Sequence, residues 1–82
     1  MKLLYFAWVR HKIGTGAENL AADNIETVSA LIDVLRARGG GYAEAFKDPT
    51  KLRCAVNREH ANFSAKLYAG DEVAFFPPIT GG

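Results

Sequence analysis

The apolar positions of this chain come in short patterned stretches separated by glycine, proline and charge. Residues 3–9 form a continuous, aromatic-rich apolar run between Lys2 and Arg10. A run of that length predicts a strand covered on both faces and central in its sheet. Residues 10–16 read as a turn, with Gly14 and Gly16 available for positive φ. Residues 17–22 read as a weak returning strand that completes a hairpin, and residues 23–26 are polar and turn-like. The helix signal follows. Val28, Leu31, Ile32 and Leu35 fall at i, i+3, i+4 and i+7, which puts one apolar stripe on a helix predicted over 28–38. Thr27 is its expected N-cap, Arg36 and Arg38 suit the negative end of its dipole, and Gly39, Gly40 and Gly41 are expected to end it.

Residues 42–47 predict a short helical turn with Tyr42 and Phe46 on one side, closed by Asp48 and Pro49. Residues 51–57 alternate, with Leu52, Cys54 and Val56 inward and Lys51, Arg53, Ala55 and Asn57 outward. A turn at 57–59, a short strand within 60–64, a buried Leu67 and a turn at 68–71 lead to the final strand. There Val73 and Phe75 alternate with Glu72, Ala74 and Phe76, so Phe75 and Phe76 point to opposite faces. Pro77 and Pro78 lack N–H groups, so the ladder cannot continue through them.

Strand, strand, helix, strand, a short strand and a last strand returning to the middle describe a β-grasp, or ubiquitin-like, α+β fold. The expected architecture is a mixed sheet of four to five strands packed on one main helix. A generic α+β sandwich with another strand order fits the same signals. The expected division is a β-grasp domain over 1–76 and an extended tail over 77–82. No internal repeat or low-complexity segment interrupts it.

Composition narrows the functional classes. Eighty-two residues make one domain. A formal net charge of +1, with acids interspersed among the bases, does not point to a nucleic-acid or membrane partner. A single cysteine excludes an internal disulfide framework and fits a reducing compartment. No apolar run is long enough to span a bilayer, and no small-residue cleavage site follows the first apolar run. The expected localisation is cytoplasmic.

The side chains offer little chemistry of their own. Cys54 lies on the apolar face of a strand with no histidine near it in sequence, which favours a buried structural thiol. His11 and His60 share no metal-ligand spacing and read as surface residues, so no metal site is expected. Gly14 and Gly16 lack the third glycine of a dinucleotide loop, because Asn19 stands where it belongs. Asp71 and Glu72 point to opposite faces of a strand and cannot act as a pair.

The chemistry instead points to the last residues. From Pro77 to Gly82 the tail reaches roughly 20 Å if fully extended. Gly81 and Gly82 have no side chains, so the terminal carboxylate can enter a channel too narrow for any other residue. An outward Phe76 beside Pro77, Pro78 and Ile79 would form an apolar patch at the tail's root, suited to docking.

Taken with Tyr5-Phe6-Ala7, Val9-Arg10, Gly14-Thr15 and Ala55-Val56-Asn57, the ending Asp71-Glu72-Val73-Ala74-Phe75-Phe76-Pro77-Pro78-Ile79-Thr80-Gly81-Gly82 resembles the small, sulfur-carrying subunits of molybdopterin synthases. The resemblance covers nearly the whole chain, and the tail is its most specific part. Residues 38–50 carry little of it, and His11 stands where the family often has an acid. The resemblance implies a β-grasp sulfur carrier that is a non-catalytic, sulfur-donating subunit of a sulfurtransferase complex. An ATP-dependent adenylating enzyme would activate the carboxylate of Gly82, and a sulfur donor enzyme would convert it to a thiocarboxylate. The large synthase subunit would then receive the tail, Gly81, Thr80 and Ile79 included, in a complex of two small and two large subunits. There, two sulfurs from successive carriers would build the dithiolene of molybdopterin on a cyclic pyranopterin precursor. Phe75, Phe76, Pro77 and Pro78 would form the docking root. No cofactor is expected to bind stably, since ATP is used by the partner.

Other β-grasp proteins end in Gly-Gly, among them carriers for thiazole or tRNA thiolation and modifiers that form isopeptides. The Phe-Phe-Pro-Pro-Ile-Thr run favours the molybdopterin branch. In a different class stands a β-grasp interaction module with a chemically idle tail, which would tolerate loss of Gly82.

Overall fold

The computed structural model describes residues 1–21 and 24–78. Five strands and three helices follow the order β1 (Lys2–Tyr5), α1 (Ala7–Ile13), β2 (Ala17–Asn19), α2 (Val28–Arg36), α3 (Gly40–Ala45), β3 (Arg53–Val56), β4 (Glu59–Ala61) and β5 (Glu72–Phe76). A single 3-10 turn, Pro49–Lys51, precedes β3. The sheet order is β2-β1-β5-β3-β4. β5 is therefore central, parallel to β1 and antiparallel to β3. This is the β-grasp arrangement, with the last strand in the middle.

The first apolar run is not one strand. It breaks at Phe6, whose extended backbone caps α1, and Ala7 enters the helix at φ 53. A non-glycine residue in that left-handed region costs on the order of 1 kcal/mol. The break has a packing reason. Leu3 and Tyr5 alternate into the core, after which Val9 and Ile13 keep contact with it at helical i, i+4 spacing. The expected turn over 10–16 is thus mostly the end of α1, stopped by Gly14 at φ 94, whose N–H donates to the Arg10 carbonyl. β1 is also not the central strand and is not covered on both faces, since Leu3 and Tyr5 are buried whereas Lys2 is exposed.

α2 forms as its stripe predicts. Val28, Leu31, Ile32 and Leu35 are all buried, and the Thr27 hydroxyl accepts from the Ala30 N–H at 3.1 Å. Each such side chain contributes roughly 1.5–3 kcal/mol when removed from water. The helix ends at Arg36 rather than Arg38, and the glycines belong to the next element. Gly39 and Gly40 adopt positive φ and lead into α3. Gly41 is needed for a different reason: a Cβ there would lie 1.9 Å from the backbone oxygen of Lys12. Only glycine lets α3 pack this closely on α1. β3 and β4 are joined by Asn57 and Arg58, both at positive φ, the two-residue hairpin loop that suits the sheet's twist.

The helices and one face of the sheet enclose a single core. Tyr5 and Phe75 stack at 6.4 Å, and Phe46 meets Phe75 edge-on at 5.0 Å. Cys54 is buried, donates to the Ala61 carbonyl at 3.2 Å, and has its thiol pKa raised by burial. Above the core edge, Glu18 accepts hydrogen bonds from Tyr5, Tyr42 and Arg38. Arg38 also lies 4.9 Å over the Tyr42 ring, which ties β2 to the α2–α3 connection. Burial pushes the Glu18 carboxyl up, but the three hydrogen bonds outweigh it and hold the group below its usual range. Among the described residues, no helix is long and apolar enough to cross a membrane.

Candidate functional site

The candidate site is the root of the C-terminal tail and the sheet face beside it. Strand alternation fixes which side chains reach that face. On β5, Val73 and Phe75 are fully buried beneath the helices, whereas Glu72, Ala74 and Phe76 turn to the other side and are partly exposed. The register places Lys2 beside Glu72, Leu4 beside Ala74 and Ala55 across from Ala74, so the outer face repeats along three strands. The result is a shallow concavity of about 400 Å³ lined by Lys2, Leu4, Phe6, Ala55, Arg58, His60, Glu72, Ala74 and Phe76.

This face is polarised along the strands. At the tail end stand Phe6, which is 50% exposed, and Phe76, whose ring meets His60 edge-on at 5.4 Å. The Phe6 N–H donates to the Phe75 carbonyl at 3.1 Å, which holds the end of β1 against the end of β5. At the far end lie Lys2 and the ion pair of Arg58 and Glu72, 3.6 Å apart with Arg58 almost fully exposed. An exposed pair of that length adds little to stability. Aromatics near the exit with charges at the opposite rim are the composition of a recognition surface with an apolar centre.

Of the expected docking residues, Phe76 lies on this face, and Pro77 and Pro78 continue from it partly buried. Phe75 does not. It is 0% exposed, so it shapes the root from inside the core and cannot touch a partner without unfolding the strand. Ile79, Thr80, Gly81 and Gly82 lie outside the described residues. Phe6 and Leu4 were missed because residues 3–9 read as one doubly covered strand. The alternation of Lys2, Leu4 and Phe6 was the signal that could have found them. Both histidines are exposed. His11 is on α1, whereas His60 belongs to the site as a neighbour of Phe76. Among the described residues no group of three metal-binding side chains comes together.

Fold and site together define a ubiquitin-like β-grasp domain whose central strand runs directly into its C-terminal tail. The chain belongs to the ThiS family, whose model matches residues 3–82. It is 48% identical to the molybdopterin synthase sulfur carrier subunit of Escherichia coli, over 100% of this chain and 99% of that protein. It is 37% identical to the protein of the same description from Haemophilus influenzae, with the same coverage. Among solved structures, SAMP1 from Haloferax volcanii superposes with a TM-score of 0.75 at 26% identity, covering 100% of this chain and 98% of that one.

Proposed function

We propose that this chain is the sulfur carrier subunit of a molybdopterin synthase, with the carboxylate of Gly82 as its chemical group. The observation that carries this reading is the exit of the central strand. β5 ends at Phe76, on a half-exposed apolar face, and two prolines follow at once. A partner that covers this face meets the tail at a fixed origin and direction. The full-length similarity to sulfur carrier subunits supports the same reading.

A carboxylate is a poor electrophile, so it must first gain a leaving group. A partner enzyme joins it to AMP from ATP and releases pyrophosphate. A sulfur donor then displaces AMP and leaves a thiocarboxylate, which is nucleophilic. The large synthase subunit covers the outer face, takes Ile79, Thr80, Gly81 and Gly82 into its active site, and directs the sulfur onto a pyranopterin precursor. This chain supplies position and a slim neck; general acids and bases come from the large subunit. Phe6 and Phe76 anchor the docking, and Pro77 and Pro78 limit the directions in which the tail can leave.

The test is the intact mass of the protein after incubation with an activating enzyme, ATP and a sulfur source. The expected gain is that of one oxygen replaced by one sulfur, and a chain lacking Gly82 should show none. An unchanged mass, with an enzyme shown to be active on another carrier, would favour an interaction module with an idle tail.

A further inference from the structure

Charge is not shared evenly over this molecule. Away from the outer sheet face, Arg36 meets Asp33 at 2.9 Å, Arg38 meets Glu18 at 2.7 Å and Lys47 meets Glu44 at 3.0 Å. The outer face holds no pair that close among the described residues. Lys2 lies beside Glu72 in the β1–β5 ladder, and Arg58 reaches the same carboxylate only at 3.6 Å. Arg53 stands across from Phe76 in the β3–β5 ladder, and because its neighbour Cys54 is buried, alternation puts Arg53 on the outer face. Three exposed cations there share the single carboxylate of Glu72.

Neither arginine is needed by the fold. Asn57 and Arg58 make a two-residue hairpin loop with both residues at positive φ, 51 and 69. The second place of such a loop favours glycine, and arginine there carries a backbone cost. Its side chain recovers little, being 88% exposed in a long ion pair. Arg53 Nη1 donates to the carbonyls of Thr50 at 3.3 Å and Leu52 at 2.8 Å, which holds the guanidinium beside the tail's root. Among the described residues nothing accepts from its Nε or Nη2. That edge of the planar fork is suited to gripping a carboxylate.

Glu72 and Phe76 are four residues apart on β5, so the rims that carry Arg58 and Arg53 are about 13 Å apart. Leu4, Ala55 and Ala74 form the apolar centre between them. A second copy of this chain would set cation against cation. Cations divided by apolar surface also do not track the closely spaced phosphates of a nucleic acid.

We propose that this face selects a protein partner whose own surface is apolar at its centre and acidic at two rims. One carboxylate meets the Nε–Nη2 edge of Arg53, and a second acidic group faces Arg58 and Lys2. These carboxylates speed encounter, and a partner without them would bury a guanidinium unpaired, which makes Arg53 a determinant of partner choice. The inference rests on the docking role of this face in the sulfur-carrier reading and adds the charge of what docks.

The experiment is stopped-flow association of the full chain with the large synthase subunit of the same organism, from about 0.05 M to about 1 M salt. The association rate should fall at least roughly tenfold as screening shortens the Debye length to about 3 Å. At low salt, Arg53→Gln and Arg58→Gln should each slow association about threefold, and Arg53→Glu at least roughly tenfold. The rims lie further apart than the Debye length of about 8 Å at physiological salt, so the double glutamine variant should show the product of the single effects. All association rates should converge at the highest salt, which separates lost charge from lost fold. Arg53→Lys should keep the association rate but dissociate faster, because an ammonium lacks the fork. Association that is independent of salt, or unchanged by Arg53→Gln and Arg58→Gln, would overturn the inference, while the mass gain at Gly82 would leave the sulfur-carrier chemistry standing. A rate that rises with salt would mark a basic partner surface and overturn it as well. No complex at any salt would remove the docking role and this inference together.

Discussion

Phe75 and Phe76 are neighbours on one strand, yet their surroundings differ completely. Phe75 is fully buried, stacked on Tyr5 and edge-on to Phe46, beneath the helices. Phe76 lies partly exposed on the opposite face beside His60. The same contrast runs across the sheet, with Leu3, Tyr5, Cys54 and Val73 inward and Lys2, Leu4, Ala55 and Ala74 outward. The inner face holds the fold together by burial. The outer face retains apolar surface that the chain does not use for its own stability, which is the expected state of a surface reserved for partners. Period-two alternation lets one strand serve both ends at once.

The comparison can be broken most severely from the inside. Phe75→Ala should destabilise the protein by about 3–5 kcal/mol, read as the shift in a urea unfolding midpoint, because it opens a cavity where three rings meet. Gly41→Ala should cost about 1–3 kcal/mol or more, since its Cβ would collide with the Lys12 backbone oxygen and force α3 from α1. Thermal unfolding would show it. Thr27→Ala removes a single cap bond and should cost about 1 kcal/mol. Phe76→Ala belongs to the other face and should cost under about 1 kcal/mol.

Acid sharpens the contrast further. The folded Glu18 pKa is depressed, so its stabilising contribution is present above the ordinary glutamate value of about 4.3 and is lost as pH falls through the lower folded value. Glu18→Gln should therefore flatten the acid side of a stability–pH curve. A mutant curve as steep as the wild type across that window would remove Glu18 from the account.

The sequence was most legible where periodicity and burial agreed. The stripe on α2, the Thr27 cap, the inward positions of Leu52 and Cys54, and the buried Leu67 all stand as the pattern predicts. The return of β5 to the centre does too. Residues 3–9 were misread because an unbroken apolar run carries no period of its own. A strand with two inward side chains followed by a helix whose Val9, Trp8 and Ile13 face the same core leaves the same trace. Gly39, Gly40 and Gly41 were misassigned for a related reason. Glycine marks both a helix stop and a close backbone approach, and only the position of Lys12 in space distinguishes them. At the site, alternation separated Phe75 from Phe76 but could not say which was inward. That depended on which face the helices cover, a long-range fact. Phe6 became visible only once the first run was divided.

The central claim is that the outer face recognises and the inner face stabilises, and sulfur transfer tests it most directly. Thiocarboxylated wild-type protein and Phe76→Ala should be titrated against a large synthase subunit with the pterin precursor present, in single-turnover reactions. The variant should keep its unfolding midpoint within about 1 kcal/mol of wild type and require at least roughly tenfold more protein for half-maximal rate, a loss of about 1.4 kcal/mol in binding. Equal titration curves for the two proteins would contradict the account, because the exposed aromatic at the tail's root would then have no part in docking.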